Sequence, residues 1–160
     1  MKNKIEVSGR TTEKFKNIAE FVALEVLKLM NQPEGLEVAI EFVSEKEIQR
    51  LNLETRNIDK VTDVLSYPST NISAGEILEE NDIEVMFLKN DEGLIHFGDM
   101  ALCIKRLREQ AKTFGNTPEN ELKKMVIHRM LHLMGYAHIE DSDYEIMNKK
   151  EIELDEKIKI

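Results

Sequence analysis

Several kinds of residue are scarce in this sequence of 160 residues, and each scarcity excludes a class of protein. Cys103 is the one cysteine, so no disulfide can form within the chain, and a reducing compartment is expected. No apolar run approaches the roughly 20 residues that span a bilayer, and the N-terminus lacks the apolar stretch of a signal peptide. We therefore expect a cytoplasmic protein with no membrane partner.

A surplus of positive charge is also lacking. The chain has 22 Lys and Arg residues against 31 Asp and Glu residues, which gives a net charge of −9. Nucleic-acid binders usually carry a basic surplus, because contacts with phosphates supply much of their affinity. Any RNA or DNA partner must therefore meet a local basic patch or a metal ion, and solubility is sufficient to explain the overall charge.

The hydrophobic pattern predicts one α+β domain spanning residues 1–160. Hydrophobic residues make up 41% of the chain and charged residues 33%, a balance typical of globular proteins. Periodicity and capping residues predict helices over 11–30, 44–52, about 105–114, 117–134 and from 141 onward. Alternation predicts strands over 36–43, 61–66, 83–88, 94–97 and 100–104, with 83–97 forming a hairpin. We expect a small mixed β-sheet of about four strands with helices packed against it.

Three histidines at one end of the apolar helix 117–134 have the spacing of a metal site. His128 and His132 are four residues apart, so their rings lie on one helix face about one turn apart. Gly135 permits the left-handed turn that ends the helix, and His138 can return as a third ligand. Three imidazoles and one open position are typical of catalytic zinc, whose bound water is activated. We predict one Zn²⁺ per chain, at the end of this central helix.

The same spacing occurs in metzincin proteases, but the chemistry excludes that class. Their general base is a glutamate directly after the first histidine, and Arg129 occupies that position here. A polar stripe of histidines without metal is the alternative, yet unpaired imidazoles are costly on so apolar a helix. His96, the fourth histidine, has no partner at ligand spacing, and we leave it out of the site.

Three ordered segments together resemble the YbeY family of metal-dependent endoribonucleases. The segment from His128 to His138 is similar to the family signature H-G-x-L-H-L-x-G-Y-D-H. The segment from Asn52 to Pro68, with Arg56, is similar to N-x-x-[YF]-R-x-x-D-x-x-T-D-V-L-S-F-P. The segment 98–103 resembles G-D-I-x-I-C. The chain departs from the signature at Arg129, where the family has glycine, and at Ala137, where it has aspartate.

The resemblance implies the substrate and the residues that act on it. It implies a single-strand-specific, zinc-dependent endoribonuclease that matures the 3′ end of small-subunit ribosomal RNA and takes part in ribosome quality control. Ribosomal RNA and the ribosome or ribosomal proteins are the implied partners. We assign Arg56 and His128 to the catalytic site, with Arg56 stabilising charge on a phosphoryl group. Asp99 is a candidate second-shell partner of a ligand or a water-positioning base.

Two other functions stay open on the sequence. The acidic charge and the missing protease base are compatible with a ribosome-associated factor whose metal is mainly structural. A metallohydrolase of another substrate class is also compatible, because a metal site alone does not name a substrate.

Overall fold

A computed structural model describes residues 2–79, 81–137 and 139–160. It contains one mixed sheet with helices around it, which confirms the predicted α+β class. In chain order, the four strands are β1 Lys4–Gly9, β2 Leu36–Phe42, β3 Val64–Pro68 and β4 Ile95–Leu102. The helices are α1 Glu13–Leu29, α2 Glu45–Arg56, α3 Ile83–Met86, α4 Ile104–Phe114, α5 Pro118–Leu133 and α6 Asp141–Lys157.

The sheet has the order β1-β2-β4-β3. Strand β2 pairs in parallel with β1 and β4, and β3 runs antiparallel to β4 at the edge. Helix α1 connects the parallel strands β1 and β2, the arrangement that a parallel pair requires. One sheet face carries the main core, in which α1 and α5 pack against each other and against the strands. The other face has a small cluster around Ile48 of α2 and Cys103.

The capping residues predicted from sequence begin the helices as expected. Thr12, Ser44 and Thr117 each accept a hydrogen bond from a backbone N–H in the first turn of α1, α2 and α5. Gly115 ends α4 in the left-handed conformation. Helix α2 is a turn longer than predicted, and it therefore places Arg56 in its last turn.

The predicted strand over 83–88 is wrong, and the hairpin over 83–97 is reduced to a tight turn across which Lys89 and Ile95 form one antiparallel bridge. Residues Ile83–Met86 form the short helix α3, because the side chain of Asp82 accepts from the N–H of Glu84 at 2.8 Å and caps a helical turn. The predicted strands 94–97 and 100–104 are one continuous strand, β4. Strand β1 was not predicted. The sheet has four strands, as expected, but they are not the ones that the sequence predicted.

Helix α5 is buried on most of its surface, which explains its apolar sequence. It contacts α1, α4, α6, β3 and β4. Near its C-terminal end, His128 and His132 are only partly buried, and His128 contacts Glu151 of α6. No helix within the described ranges is long and apolar enough to cross a membrane.

Candidate metal centre and nucleic-acid site

The rings of His128 and His132 face each other on α5. Their Nε2 atoms are 3.1 Å apart, and the ring centroids are 4.7 Å apart with planes at 83°. Spacing of four residues on one helix face produces this approach, as predicted. The two nitrogens therefore point at a common position beside the helix.

The opposite nitrogen of each ring is held by an oxygen acceptor. His132 Nδ1 lies 2.8 Å from the carbonyl oxygen of Tyr136, and His128 Nδ1 lies 2.6 Å from Glu151 Oε1 on α6. A carbonyl oxygen can only accept, so His132 Nδ1 carries the proton and its Nε2 presents a lone pair. The carboxylate oxygen of Glu151 is placed to accept from His128 Nδ1 in the same way. Two lone pairs at 3.1 Å repel unless a proton or a metal cation lies between them.

The donor chemistry of these residues fits a zinc-type ion. Metal-binding histidines usually donate their other ring N–H to a carboxylate or a carbonyl, and both arrangements occur here. His138, the third predicted ligand, lies outside the described residues. Within the described ranges no group of three His, Cys, Asp or Glu side chains is placed to hold a metal, so these ranges supply two of the three predicted ligands.

Gly135 makes the turn that brings the Tyr136 carbonyl back to His132. Its φ is 92°, in the left-handed region that glycine adopts without strain. A Cβ at this position would also overlap the carbonyl oxygen of Ile72, since the segment 69–79 packs directly against the turn. The sequence predicted the turn, and the close approach of Ile72 is an additional requirement for glycine.

Arg56 is fixed at the edge of the sheet. Its Nη2 donates to the carbonyl oxygen of Ser66 on β3 at 2.9 Å, and its Cζ lies 5.7 Å from the centre of the Tyr67 ring. Both partners are uncharged, so the guanidinium keeps its full positive charge and further N–H donors. Arg56 is exposed and therefore accessible to a substrate.

Arg129 follows His128 on α5 and lies near charged groups at the edge of the sheet. Burial lowers the pKa of its guanidinium, the carboxylate of Asp63 opposes that effect, and the positive charge of Arg56 adds to it. Arg129 lines an open pocket of about 250 Å³ together with Asp63, Lys124, His128 and Glu151. The charges of Arg56, Arg129 and Asp63 thus act on one another beside the histidine pair.

Asp99 contacts His96 in the described structure. Its carboxylate is 3.0 Å from His96 Nε2, and Nδ1 of the same ring is 3.0 Å from Glu37 Oε1. No described hydrogen bond joins Asp99 to His128 or His132, so its assignment as a second-shell partner stays a prediction. Sequence reasoning also missed Glu151, because one of 31 acidic residues gives no signal of a contact 23 positions away.

The chain is similar to known proteins over almost its whole length. A family model described as endoribonuclease YbeY matches residues 1–159. A protein named endoribonuclease YbeY from Clostridium botulinum strain Kyoto / Type A2 is 34% identical over 154 residues, with 95% of this chain and 90% of the relative covered. Its namesake from strain Alaska E43 / Type E3 is 36% identical over 155 residues, with 94% and 90% covered.

A solved structure shares the fold. The solution structure of TM1509 from Thermotoga maritima superimposes with a TM-score of 0.60 at 27% identity, covering 95% of this chain and 87% of that one. The name shared by the matched relatives is that of hydrolases that cut within an RNA chain. This chain belongs to the YbeY endoribonuclease family.

Proposed function

We propose that this chain is an endoribonuclease that hydrolyses phosphodiester bonds in single-stranded RNA and binds one zinc ion through His128, His132 and His138. Its substrate is ribosomal RNA at the 3′ end of the small subunit, and its work contributes to ribosome quality control in the cytoplasm. The observation that carries the proposal is the pair of Nε2 atoms 3.1 Å apart, each on a ring whose Nδ1 is held by an acceptor.

The residues of the chain have separate tasks in this reaction. When bound, zinc would polarise a phosphoryl oxygen and activate water. Glu151 and the Tyr136 carbonyl orient the two imidazoles, so that the rings do not have to be ordered when the site assembles. Arg56, held by the Ser66 carbonyl, offers its remaining N–H groups to the negative charge that develops on the scissile phosphoryl group.

The direct test compares His132→Ala with His96→Ala. His96 serves as a matched control because it lies among Glu37 and Asp99, outside the pair. Metal content and cleavage of a single-stranded ribosomal RNA fragment are measured on the wild type and both variants, with circular dichroism to check folding. We expect His132→Ala to lose bound zinc and to cleave at least about 100-fold more slowly, as a loss of several kcal/mol of metal catalysis requires.

The control should keep both zinc and cleavage. Full cleavage by a folded, zinc-free His132→Ala protein would refute the proposal. A ribosome-associated factor with a structural metal is the second candidate, motivated by the net charge of −9. It predicts ribosome binding by wild type and His132→Ala alike, with no turnover of purified RNA by either.

A further inference from the structure

The basic side chains of this acidic protein are held in two ways. Several are ion-paired with a carboxylate; Arg50, for example, has Glu47 at 3.6 Å and Glu54 at 3.0 Å. Arg56 and Arg129 have no carboxylate oxygen within 4 Å among the described residues. Their charges are thus only partly compensated, on a protein whose overall charge would repel RNA.

Arg129 is unusual because it is also half-buried. Its Nε has no hydrogen-bond partner in the described part of the chain and is closed off from solvent. An unpaired cation that is exposed to solvent destabilises the fold little, but burying a cation without a carboxylate partner costs free energy. A side chain kept in that state beside a reactive site is a candidate for binding something that the free protein lacks.

The position of Arg129 determines what it can reach. It follows His128 directly on α5 and lines the same pocket of about 250 Å³. Arg56, at the end of α2, is held against the edge strand β3, and its positive charge acts on that of Arg129. The other acids of the pocket are engaged, since Glu151 accepts from His128 and Glu121 accepts from Asn116 at 2.8 Å.

A guanidinium group with an unused N–H donor suits an anion with several oxygen acceptors. A phosphodiester presents two such oxygens and a full negative charge, and guanidinium groups bind phosphate with paired hydrogen bonds. An RNA chain whose scissile phosphate lies at the histidines carries its next phosphate a few ångströms away. The pocket beside His128 is therefore suitably placed for a neighbouring phosphate of the same strand.

We propose that Arg129 is a substrate-binding residue of this chain, which contacts the phosphodiester next to the scissile one and works as a pair with Arg56. This inference rests on the proposed function, because it assumes an RNA substrate. It also gives a role to one of the two residues at which the chain departs from the family signature. Arg56 acts on the reacting phosphate, whereas Arg129 positions the strand.

The test measures binding of a short, single-stranded 2′-O-methyl oligoribonucleotide, which resists cleavage, by fluorescence anisotropy over a series of KCl concentrations. The variants are Arg129→Gln, Arg129→Lys and Arg56→Gln. Arg50→Gln is the control, because it removes the same unit of charge from an arginine already paired with two carboxylates. Arg129→Gly, which restores the residue of the family signature, is a second variant if the glutamine variant folds poorly.

We expect Arg129→Gln to bind roughly tenfold more weakly at low salt, as loss of a charged hydrogen-bond donor predicts. The slope of log K against log salt should fall in magnitude by about 0.7, the value for one phosphate contact on a single strand. Arg129→Lys should keep the slope, and Arg50→Gln should keep both slope and affinity. In cleavage assays Arg129→Gln should raise KM with little change in kcat, whereas Arg56→Gln should lower kcat.

Two outcomes would overturn the inference while the proposed function stands. One is wild-type affinity and slope in Arg129→Gln and Arg129→Gly while Arg56→Gln is impaired. The other is an equal loss in Arg129→Gln and Arg50→Gln, which would indicate overall charge. A wild-type protein that neither binds nor cleaves RNA would refute the proposed function itself, and the wild-type measurement distinguishes that failure from the others.

Discussion

The imidazole ring has different surroundings at His96 and in the pair formed by His128 and His132. Both ring nitrogens of His96 lie 3.0 Å from a carboxylate oxygen, one of Glu37 and one of Asp99. An imidazole between two acceptors is satisfied when both nitrogens carry protons. The ring of His96 is therefore suited to be a cation that ties two anionic side chains together.

Among the described residues, each ring of the α5 pair has an acceptor beside its Nδ1 and the other ring's nitrogen beside its Nε2. Glu151 and the Tyr136 carbonyl hold the Nδ1 protons, and the Nε2 atoms face each other. That arrangement favours an electrophile between the rings, where the His96 arrangement favours protonation. The number and placement of acceptors around each ring, rather than the presence of histidine, thus distinguish a candidate metal ligand from a structural ion pair.

The largest expected effect on stability comes from disrupting the turn at Gly135, which places the Tyr136 carbonyl beside His132. In Gly135→Ala, the new Cβ meets the Ile72 carbonyl and the backbone must hold a positive φ. Strain and overpacking together should cost about 3 kcal/mol of unfolding free energy. Urea unfolding measures this loss, and zinc affinity should fall with it. Gly115→Ala is the control, because its φ is also positive but no atom lies within 4 Å of its Cβ.

A smaller effect is expected when the acceptor of His128 is removed. Glu151→Ala should weaken zinc binding by about 10- to 100-fold, as loss of an orienting partner commonly does. Competition with a zinc chelator measures the affinity. Glu156→Ala on the same helix is the matched control. Unchanged zinc affinity in Glu151→Ala would contradict the role assigned to this carboxylate.

The smallest effect is expected at His96, and its size depends on pH. Burial lowers the pKa of His96, but the hydrogen bonds and charges of Asp99 and Glu37 outweigh it and hold that pKa above its usual value. A raised folded-state pKa stabilises the fold fully below the unfolded value of about 6.5, and the stabilisation is lost as pH rises through the folded value. His96→Gln should therefore cost about 1 kcal/mol near pH 6 and progressively less at higher pH.

Urea unfolding of the wild type and His96→Gln across that pH range is the measurement. A cost that grows with pH would show that the ring is held neutral. Zinc content should not change in this variant, in contrast to Gly135→Ala.

The sequence predicted the parts of the fold that depend on neighbours along the chain. Helix α5 and its histidine pair follow from periodicity, capping by Thr117 and the turn at Gly135. Strand β1 was missed because Lys4–Gly9 has only one buried residue, Ile5, and its pairing with β2 crosses 33 positions of sequence. The predicted strand over 83–88 was wrong because its apolar residues match a strand pattern, while one side-chain cap at Asp82 favours a helical turn.

The candidate site likewise has a part that the sequence predicted and a part that it did not. Spacing on one helix identified His128 and His132, but their oxygen partners depend on the docking of α6 and on the chain's return after α5. The environment of Arg129 depends on Asp63 and Arg56, which lie more than 60 residues earlier. Contacts of that range have no local signature.

The contact between Arg56 and the Ser66 carbonyl has a consequence for how the protein behaves in a crowded solution. Strand β3 is an edge of the sheet, and unpaired backbone groups on an edge invite strands from other molecules. The Arg56 guanidinium occupies one of those carbonyls, and Pro68 removes an N–H at the end of the strand. The side chain that would act on RNA thus also discourages one copy of the protein from extending the sheet of another.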